Sequence, residues 1–213
     1  MDLKEKYISY RKRLVALHMQ ILTECVSDED YLKSAGILGI LSENNEIVIE
    51  STSEKDALYD YNIYGNIRNG SNALSEYVNK YPPSNKVDEE LLLAMKSSDV
   101  GLYEVTNHDP ENGIIMLTDV MNSSLTIKLI DIGLSENLNS NILLFTRLIH
   151  LDEFSMTSGL TFAFSIDHKE YLIKKSQKMK KKVKEFDASV ARFVTFFQLN
   201  RSDGLPVLLE KVE

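Results

Sequence analysis

The chain has 213 residues, of which 43% are hydrophobic and 26% charged, and its formal net charge is −8. This composition is typical of a folded protein with one large or two small domains, and it excludes disorder caused by a shortage of apolar residues. A single cysteine, Cys25, excludes an intramolecular disulfide and every cysteine-rich zinc motif.

The sequence predicts a cytoplasmic protein without membrane contact. Its first residues lack the apolar core of a signal peptide. Its longest apolar runs are far shorter than the roughly 20 residues that a membrane helix needs. A lone cysteine suits a reducing compartment, and the abundance of Asn, Lys, Ile and Ser with no Trp is typical of AT-rich bacterial genes.

Residues 1–98 are predicted to be mainly helical. The first helix has an apolar stripe with alternating spacings of four and three residues, which places its members on one face. The stripe consists of Leu3, Tyr7, Tyr10, Leu14, Leu17 and Ile21. The motif SDED starts a second helix, and SEKDALYDY, GSNALSEYVNKY and KVDEELLLAMKS predict three more. A short strand is expected at residues 47–49.

Residues 99–166 are predicted to form a small β-module with five antiparallel strands, either a barrel or a curled sheet. Five short apolar or alternating runs are separated by turn residues: GLYEVTN, GIIMLTDV, SLTIKLID, NILLFTRLIHL and SGLTFAFSI. His108, Asp109, Glu111 and Asp119 lie close enough in sequence to resemble a metal or acid–base site. The intervening DPENG favours a hairpin turn instead, and it leaves open what His108 contacts.

Residues 167–200 are predicted to form one long amphipathic helix. Heptad spacing runs through Leu172, Ser176, Met179, Val183, Phe186, Val190, Phe193 and Phe197. A single helix of that span would be roughly 45 Å long. Residues 201–213 form a tail in which VLLEKVE predicts a last strand. The fold class predicted for the whole chain is therefore α+β.

The two terminal helices share an apolar seam, which would let them pack together or on a second copy of the chain. This candidate interaction seam consists of Leu3, Tyr7, Tyr10, Leu14, Leu17, Leu172, Met179, Val183 and Phe186. Both helices are basic, but exposed like-charge pairs cost only a few tenths of a kcal/mol, whereas each buried large apolar side chain contributes about 1.5–3 kcal/mol. Repulsion therefore does not exclude packing.

Lysines cluster off the seam of the long helix, while the rest of the chain is acidic. Residues 169–186 hold eight lysines against two glutamates. Candidate contacts to nucleic acid or another anion are Lys174, Lys175, Lys178, Lys181 and Lys182. The same pattern is typical of a solvated helix face or of a surface that docks an acidic protein. The seam phenylalanines are not interleaved with the lysines, as a base-stacking surface would require.

No motif dictates a chemistry. His18, His108, His150 and His168 are isolated, Cys25 has no neighbouring histidine, and no phosphate-binding glycine motif is present. An enzyme would require His108, His150 and a carboxylate to converge, with Asp152 or Glu153 as expected neighbours of His150. The sequence therefore predicts no catalytic residue, no metal and no cofactor.

The predicted function is that of a non-enzymatic interaction or regulatory protein that binds a protein partner or itself, with a homodimer as one form. A nucleic-acid-associated protein that uses the lysine face is an alternative. A second alternative is an acidic inhibitor or anti-defence protein from a mobile element, because the acidic body could engage a basic partner.

Overall fold

A computed structural model describes residues 2–68, 70–121, 125–138, 141–182 and 188–205, with the side chains of 179–182 excepted. The chain divides into two compact units. The barrel unit combines Met1–Ile8 with Ser98–Glu213, and the helical unit is Ser9–Ser97. The protein is α+β, with eight α-helices and one five-stranded sheet in the described ranges.

The N-terminal part is helical, as predicted. Its helices are α1 (Leu3–Cys25), α2 (Asp28–Leu38), α3 (Thr52–Tyr64), α4 (Ala73–Lys80) and α5 (Lys86–Ser97). α1 belongs to the barrel unit up to Ile8 and to the helical unit beyond it. α2 begins with a capping box, in which the Ser27 hydroxyl accepts from the Asp30 N–H and the Asp30 carboxylate accepts from the Ser27 N–H.

Five strands close into a barrel in the order β1-β2-β3-β5-β4. They are β1 (Asp99–Asp109), β2 (Ile114–Asp119), β3 (Thr126–Ile130), β4 (Ile142–His150) and β5 (Ser155–Ser165), with the short helix α6 (Ile132–Asn137) between β3 and β4. β1 to β3 form a meander and β4 returns beside β1, which is a Greek key. The predicted strands and the β1–β2 hairpin are confirmed.

The sheet is mixed, so the prediction of a purely antiparallel module is wrong. Pairings around the ring are antiparallel except for β3 with β5, which run parallel and bridge at Leu129 and Ser155. The reason is parity: strand direction cannot alternate all the way around a closed ring with an odd number of strands. At least one parallel pairing is unavoidable, and here it is β3 with β5, because β4 crosses to the far side of the ring and pairs with β1 and β5.

The barrel interior is filled with apolar side chains. Tyr103, Val105, Ile115, Leu117 and Leu129 from the first three strands meet aliphatic residues of β4, β5 and α6 there. β4 and β5 are also buried on their outer face, which explains why their sequences are apolar without alternation.

The C-terminal segment is a pair of helices, and the prediction of one helix of about 45 Å is wrong. A 3-10 turn (Ile166–His168) leads into α7 (Lys169–Lys182), and α8 (Ala188–Asp203) follows. The Tyr171 hydroxyl lies 3.4 Å and the Lys175 ammonium 3.6 Å from the Asp203 carboxylate. In one straight helix residues 171 and 203 would be roughly 48 Å apart. Two antiparallel helices that each bury one face show the same heptad spacing, so the pattern did not distinguish them.

α8 covers the outer face of β4 and β5 with aromatic rings. Phe196 stacks on Phe145, with 4.4 Å between ring centroids, and packs edge-on against Phe164. Phe193 and Phe197 make edge contacts to Phe145 and Phe162. The widened apolar face of the predicted helix thus packs against the outside of the barrel. The predicted strand in VLLEKVE lies outside the described residues, since these end at Leu205.

Candidate functional site

Two buried carboxylates in the helical unit are each held by an arginine fork. The Arg68 guanidinium binds both oxygens of Asp30, at 3.0 and 2.5 Å, and also reaches Glu76 and the Cys25 carbonyl. This pairing holds the pKa of Asp30 far below its usual range. Arg68 therefore joins the end of α1, the start of α2 and α4.

The second fork is Arg13 on Asp88, at 2.5 and 2.9 Å. Ser84 and Asn85 also donate to that carboxylate, and Arg13 lowers the pKa of Asp88. Both carboxylates are fully engaged in structural contacts, so neither is available as an acid or base. Removal of one partner from such a buried ion pair destabilises the fold, because the other charge is left buried and unpaired. The pair is therefore structural and does not mark a reactive site.

A histidine–serine pair lies at one end of the barrel. The His150 Nδ1 is 2.7 Å from the Ser155 hydroxyl, across the turn between β4 and β5. Next to Ser155 on the same strand, the buried Thr157 hydroxyl donates to Asp131 over 2.8 Å. The sequence-based expectation that His150 meets Asp152 or Glu153 is wrong, because the ladder register places His150 directly opposite Ser155. A four-residue turn, LDEF, was the signal that could have indicated this pair.

The His150–Ser155 pair has only some of the groups that a nucleophilic site needs. Partial burial lowers the pKa of His150, so its imidazole is neutral at pH 7 and could accept a proton. A catalytic serine–histidine pair also needs a third group that orients the imidazole. Among the described residues no second hydrogen-bond partner of His150 is found, and Ser155 is itself buried. The arrangement is that of a cross-strand hydrogen bond.

Tyr103 in β1 has a raised pKa and is likewise unsuited to act as a base. Tyr103 points into the core, where Gly101 leaves room for its hydroxyl. Burial, together with the negative charges of Asp119 and Asp99, raises the pKa of Tyr103 to about 12. The hydroxyl stays protonated at neutral pH and serves as a core side chain.

Acidic side chains lie on three neighbouring segments of the barrel, which we together call the turn end: the β1–β2 turn (110–113), α6 and the β4–β5 turn (151–154). The Asp131 N–H donates to the Gly113 carbonyl, which joins α6 to the first turn. From α1, Lys4 donates to the Glu111 carbonyl and Lys6 pairs with Glu153 at 2.8 Å. In the described part of the chain, the exposed carboxylates of Glu111, Glu136 and Asp152 have no hydrogen-bond or ion-pair partner.

The predicted interaction seam is largely internal. Tyr7, Tyr10, Leu14, Leu17 and Leu172 are buried within the single chain. Leu3 is half-buried; the side chain of Met179 is not among those described, and Val183 and Phe186 lie outside the described residues. Burial in the monomer favours the packing role of these residues over self-association.

The lysine face of α7 is partly occupied. Lys174 pairs with Glu170 at 3.3 Å, and Lys175 lies over the Tyr171 ring and near Asp203. Lys178 is exposed, and the side chains of Lys181 and Lys182 are not described. The described lysines thus form a solvated face with local pairs, and the proposed anion contact keeps only its sequence support.

The histidines have separate neighbours. His18 bonds to the Tyr64 hydroxyl at 2.8 Å, His150 to Ser155, and His168 packs edge-on against Tyr171. Within the described ranges no group of three or more His, Cys, Asp or Glu residues could hold a metal ion. In the same ranges no helix has the length and apolar character needed to cross a membrane.

The outer face of β2 and β3 lacks the features of an oligonucleotide surface. Five-stranded Greek-key barrels of the OB type bind oligonucleotides on these strands, through aromatic stacking and cations. Here Met116 pairs with Lys128 and Thr118 with Thr126 on the face opposite the core residues Ile115, Leu117 and Leu129. Within the two strands this face has one cation and no aromatic ring.

Fold and site together define an α+β protein that combines a helical unit with a closed five-stranded Greek-key barrel, acidic at its turn end. The model of a family of unknown function, DUF7986, matches residues 1–210, and the chain belongs to that family. No curated protein and no solved structure gives a significant match.

Proposed function

We propose that the protein acts by binding another protein, and that the turn end of the barrel contacts a basic surface of that partner. The carrying observation is the set of exposed carboxylates there, Glu111, Glu136 and Asp152, which have no partner among the described residues. Residues 98–168 hold ten acidic side chains against Lys128 and Arg147, and Arg147 is buried. A surface with an excess of negative charge steers a basic partner and favours specificity.

The filled barrel supports binding over catalysis. Its interior is occupied by apolar side chains, so the barrel centre has no room for a substrate. The arginine forks and the His150–Ser155 pair are accounted for by structural hydrogen bonds. A regulator and an acidic inhibitor would both work through such a surface, and they differ in what binding does to the partner.

The test is affinity purification from the native host with charge-reversed variants. The barrel variant is Glu111→Lys with Asp152→Lys, and the control of equal net charge is Glu29→Lys with Glu89→Lys in the helical unit. All four carboxylates are exposed. We expect a partner with a basic surface that co-purifies with the wild type and the control and is lost with the barrel variant. Equal recovery with both variants would contradict the proposal.

Nucleic-acid association remains the second candidate, because Lys178 and Lys174 are exposed on α7. It predicts binding to duplex or single-stranded nucleic acid that weakens steeply with salt. Substitution of Lys174 and Lys178 by Gln would remove that binding. An absence of any binding at low salt would exclude this candidate.

A further inference from the structure

A short hairpin-like arm, residues 40–50, follows α2 in the helical unit. The Val48 N–H donates to the Ile40 carbonyl and the Ser42 N–H to the Glu46 carbonyl, each at 2.8 Å. Leu41 and Ile47 face each other in an isolated antiparallel bridge, and Asn45 makes the turn with a φ of 60°. Of the strand predicted at residues 47–49, the structure shows an isolated bridge at Ile47 and one backbone hydrogen bond from Val48.

The other side of this arm is an open edge. In an extended chain, successive backbone groups point to opposite sides. Since Glu46 and Val48 bond to the Ile40–Ser42 segment, this alternation directs the N–H and C=O groups of Ile47 away from it, and its continuation does the same for Ile49. None of these four groups has a hydrogen bond within the described residues.

The side chains of the edge are also exposed. Val48 and Ile49 leave 46% and 40% of their surface accessible to solvent. Soluble proteins usually protect a free edge with charged side chains, a proline or a covering segment. Here the flanking residues are glutamates, Glu46 and Glu50, and both are exposed. Charge complementarity across strands therefore favours a strand that supplies positive charge at both ends.

We propose that residues 46–50 receive an extended segment of a partner protein as an added antiparallel strand. Four backbone hydrogen bonds to Ile47 and Ile49 would hold it, which is recognition by β-augmentation. The chemistry of the edge defines the segment as three consecutive β-branched residues with Lys or Arg on each side. The flanking cations would lie opposite Glu46 and Glu50, where opposite charges across strands stabilise pairing.

A second copy of this chain is a poor occupant of the edge. Antiparallel pairing of two copies centred on Val48 would place Glu46 of each opposite Glu50 of the other. Like charges directly opposite one another destabilise a strand pair. The glutamates therefore act against self-pairing and select a basic partner.

The inference rests on the proposed function in that the ligand is a protein segment, but it concerns a different unit of the chain. The probe is a fluorescein-labelled, blocked pentapeptide, Lys-Val-Thr-Val-Lys, titrated with the full chain and followed by anisotropy. The control peptide has Glu at both ends. We expect the lysine peptide to bind at least tenfold more tightly than the glutamate peptide.

Two substitutions at position 49 distinguish the contribution of the backbone N–H to binding from that of the side chain. Ile49→Pro removes the outward N–H and should weaken binding at least tenfold, whereas Ile49→Thr keeps the N–H and a β-branched side chain and should stay within threefold of the wild type. Circular dichroism of each variant checks the fold.

Equal binding by wild type and Ile49→Pro, no preference between the two peptides, or no binding at millimolar protein would each overturn the inference. The Glu111→Lys, Asp152→Lys variant should bind the peptide normally, so failure at the edge and failure at the barrel are distinguishable.

Discussion

At the residue scale, two fully buried threonines differ in whether their hydroxyl has a hydrogen-bond partner. Thr195 in α8 is fully buried, and its Oγ1 has no hydrogen-bond partner among the residues that the structure describes. Thr146 in β4 is equally buried and donates to the Leu160 carbonyl over 2.6 Å. The free-energy cost of burying an unpaired hydroxyl therefore applies to Thr195 and not to Thr146.

Substitution by valine should change stability in opposite directions at these two sites. Thr195→Val removes an unpaired polar atom and should raise the free energy of unfolding by about 1 kcal/mol, whereas Thr146→Val should lower it by about 1 kcal/mol or more. Urea denaturation of both variants measures the difference. A loss of stability in Thr195→Val would indicate that its hydroxyl is hydrogen-bonded after all.

The Arg68–Asp30 pair makes stability depend on pH in a defined window. The folded-state pKa of Asp30 is lowered, so its contribution is complete above the ordinary aspartate pKa of about 3.9 and is lost as pH falls through the folded-state value. Arg68→Met should lower the free energy of unfolding at pH 7 by about 2–4 kcal/mol. The difference from the wild type should shrink below about pH 4.

Denaturation at several pH values, from neutral to acidic, tests this dependence. Glu76→Gln is the control, because Glu76 is half exposed and its pairing with Arg68 should contribute at most about 1 kcal/mol. A wild-type advantage over Arg68→Met that stays constant as the pH is lowered would assign the effect of Arg68 to packing rather than to the charge of Asp30.

At the element scale, the reversal between α7 and α8 is the feature most open to direct measurement. Spin labels at Lys174→Cys and Ser202→Cys, in a Cys25→Ser background, report the distance between the two helices. The antiparallel pair predicts a separation below about 25 Å, roughly two helix diameters, whereas one straight helix predicts roughly 42 Å. A double electron–electron resonance distribution centred near the longer distance would restore the single helix.

Local patterns predicted most of the elements, and long-range constraints set the rest. The apolar stripe of α1, the Ser27 cap and the five β runs depend on residues within one or two turns or one strand, so the sequence indicated them. The parallel β3–β5 pairing follows from closure of the ring, which no single strand encodes. The His150–Ser155 bond depends on hairpin register, and the α7–α8 reversal leaves the heptad spacing unchanged.

At the scale of the whole molecule, the barrel unit includes the start of α1. Tyr7 is buried and packs edge-on against Phe154 in the β4–β5 turn, with 6.3 Å between ring centroids. Lys4 and Lys6 contact Glu111 and Glu153 in the two turns. Sequence-distant residues thus stabilise the turn end that we propose as the binding surface.

Tyr7→Ala should destabilise the barrel unit by about 3–5 kcal/mol, the range for removal of a large buried ring. Hydrogen exchange followed by mass spectrometry should show faster exchange in residues 150–157 of the variant. Lys12→Ala, on the same helix but exposed, is the control and should leave that exchange unchanged. Unchanged exchange at the turn in Tyr7→Ala would mean that the start of α1 does not support it.

The Arg68 fork also constrains how the family can diverge. Loss of the arginine alone leaves a buried, unpaired carboxylate. This destabilises the fold more than replacement of both partners by apolar residues. Positions 30 and 68 should therefore change together among family members, with Asp–Arg replaced by an apolar pair rather than by one partner alone. Position 76, half exposed, should vary more freely. A wide alignment of family sequences would show whether positions 30 and 68 change together.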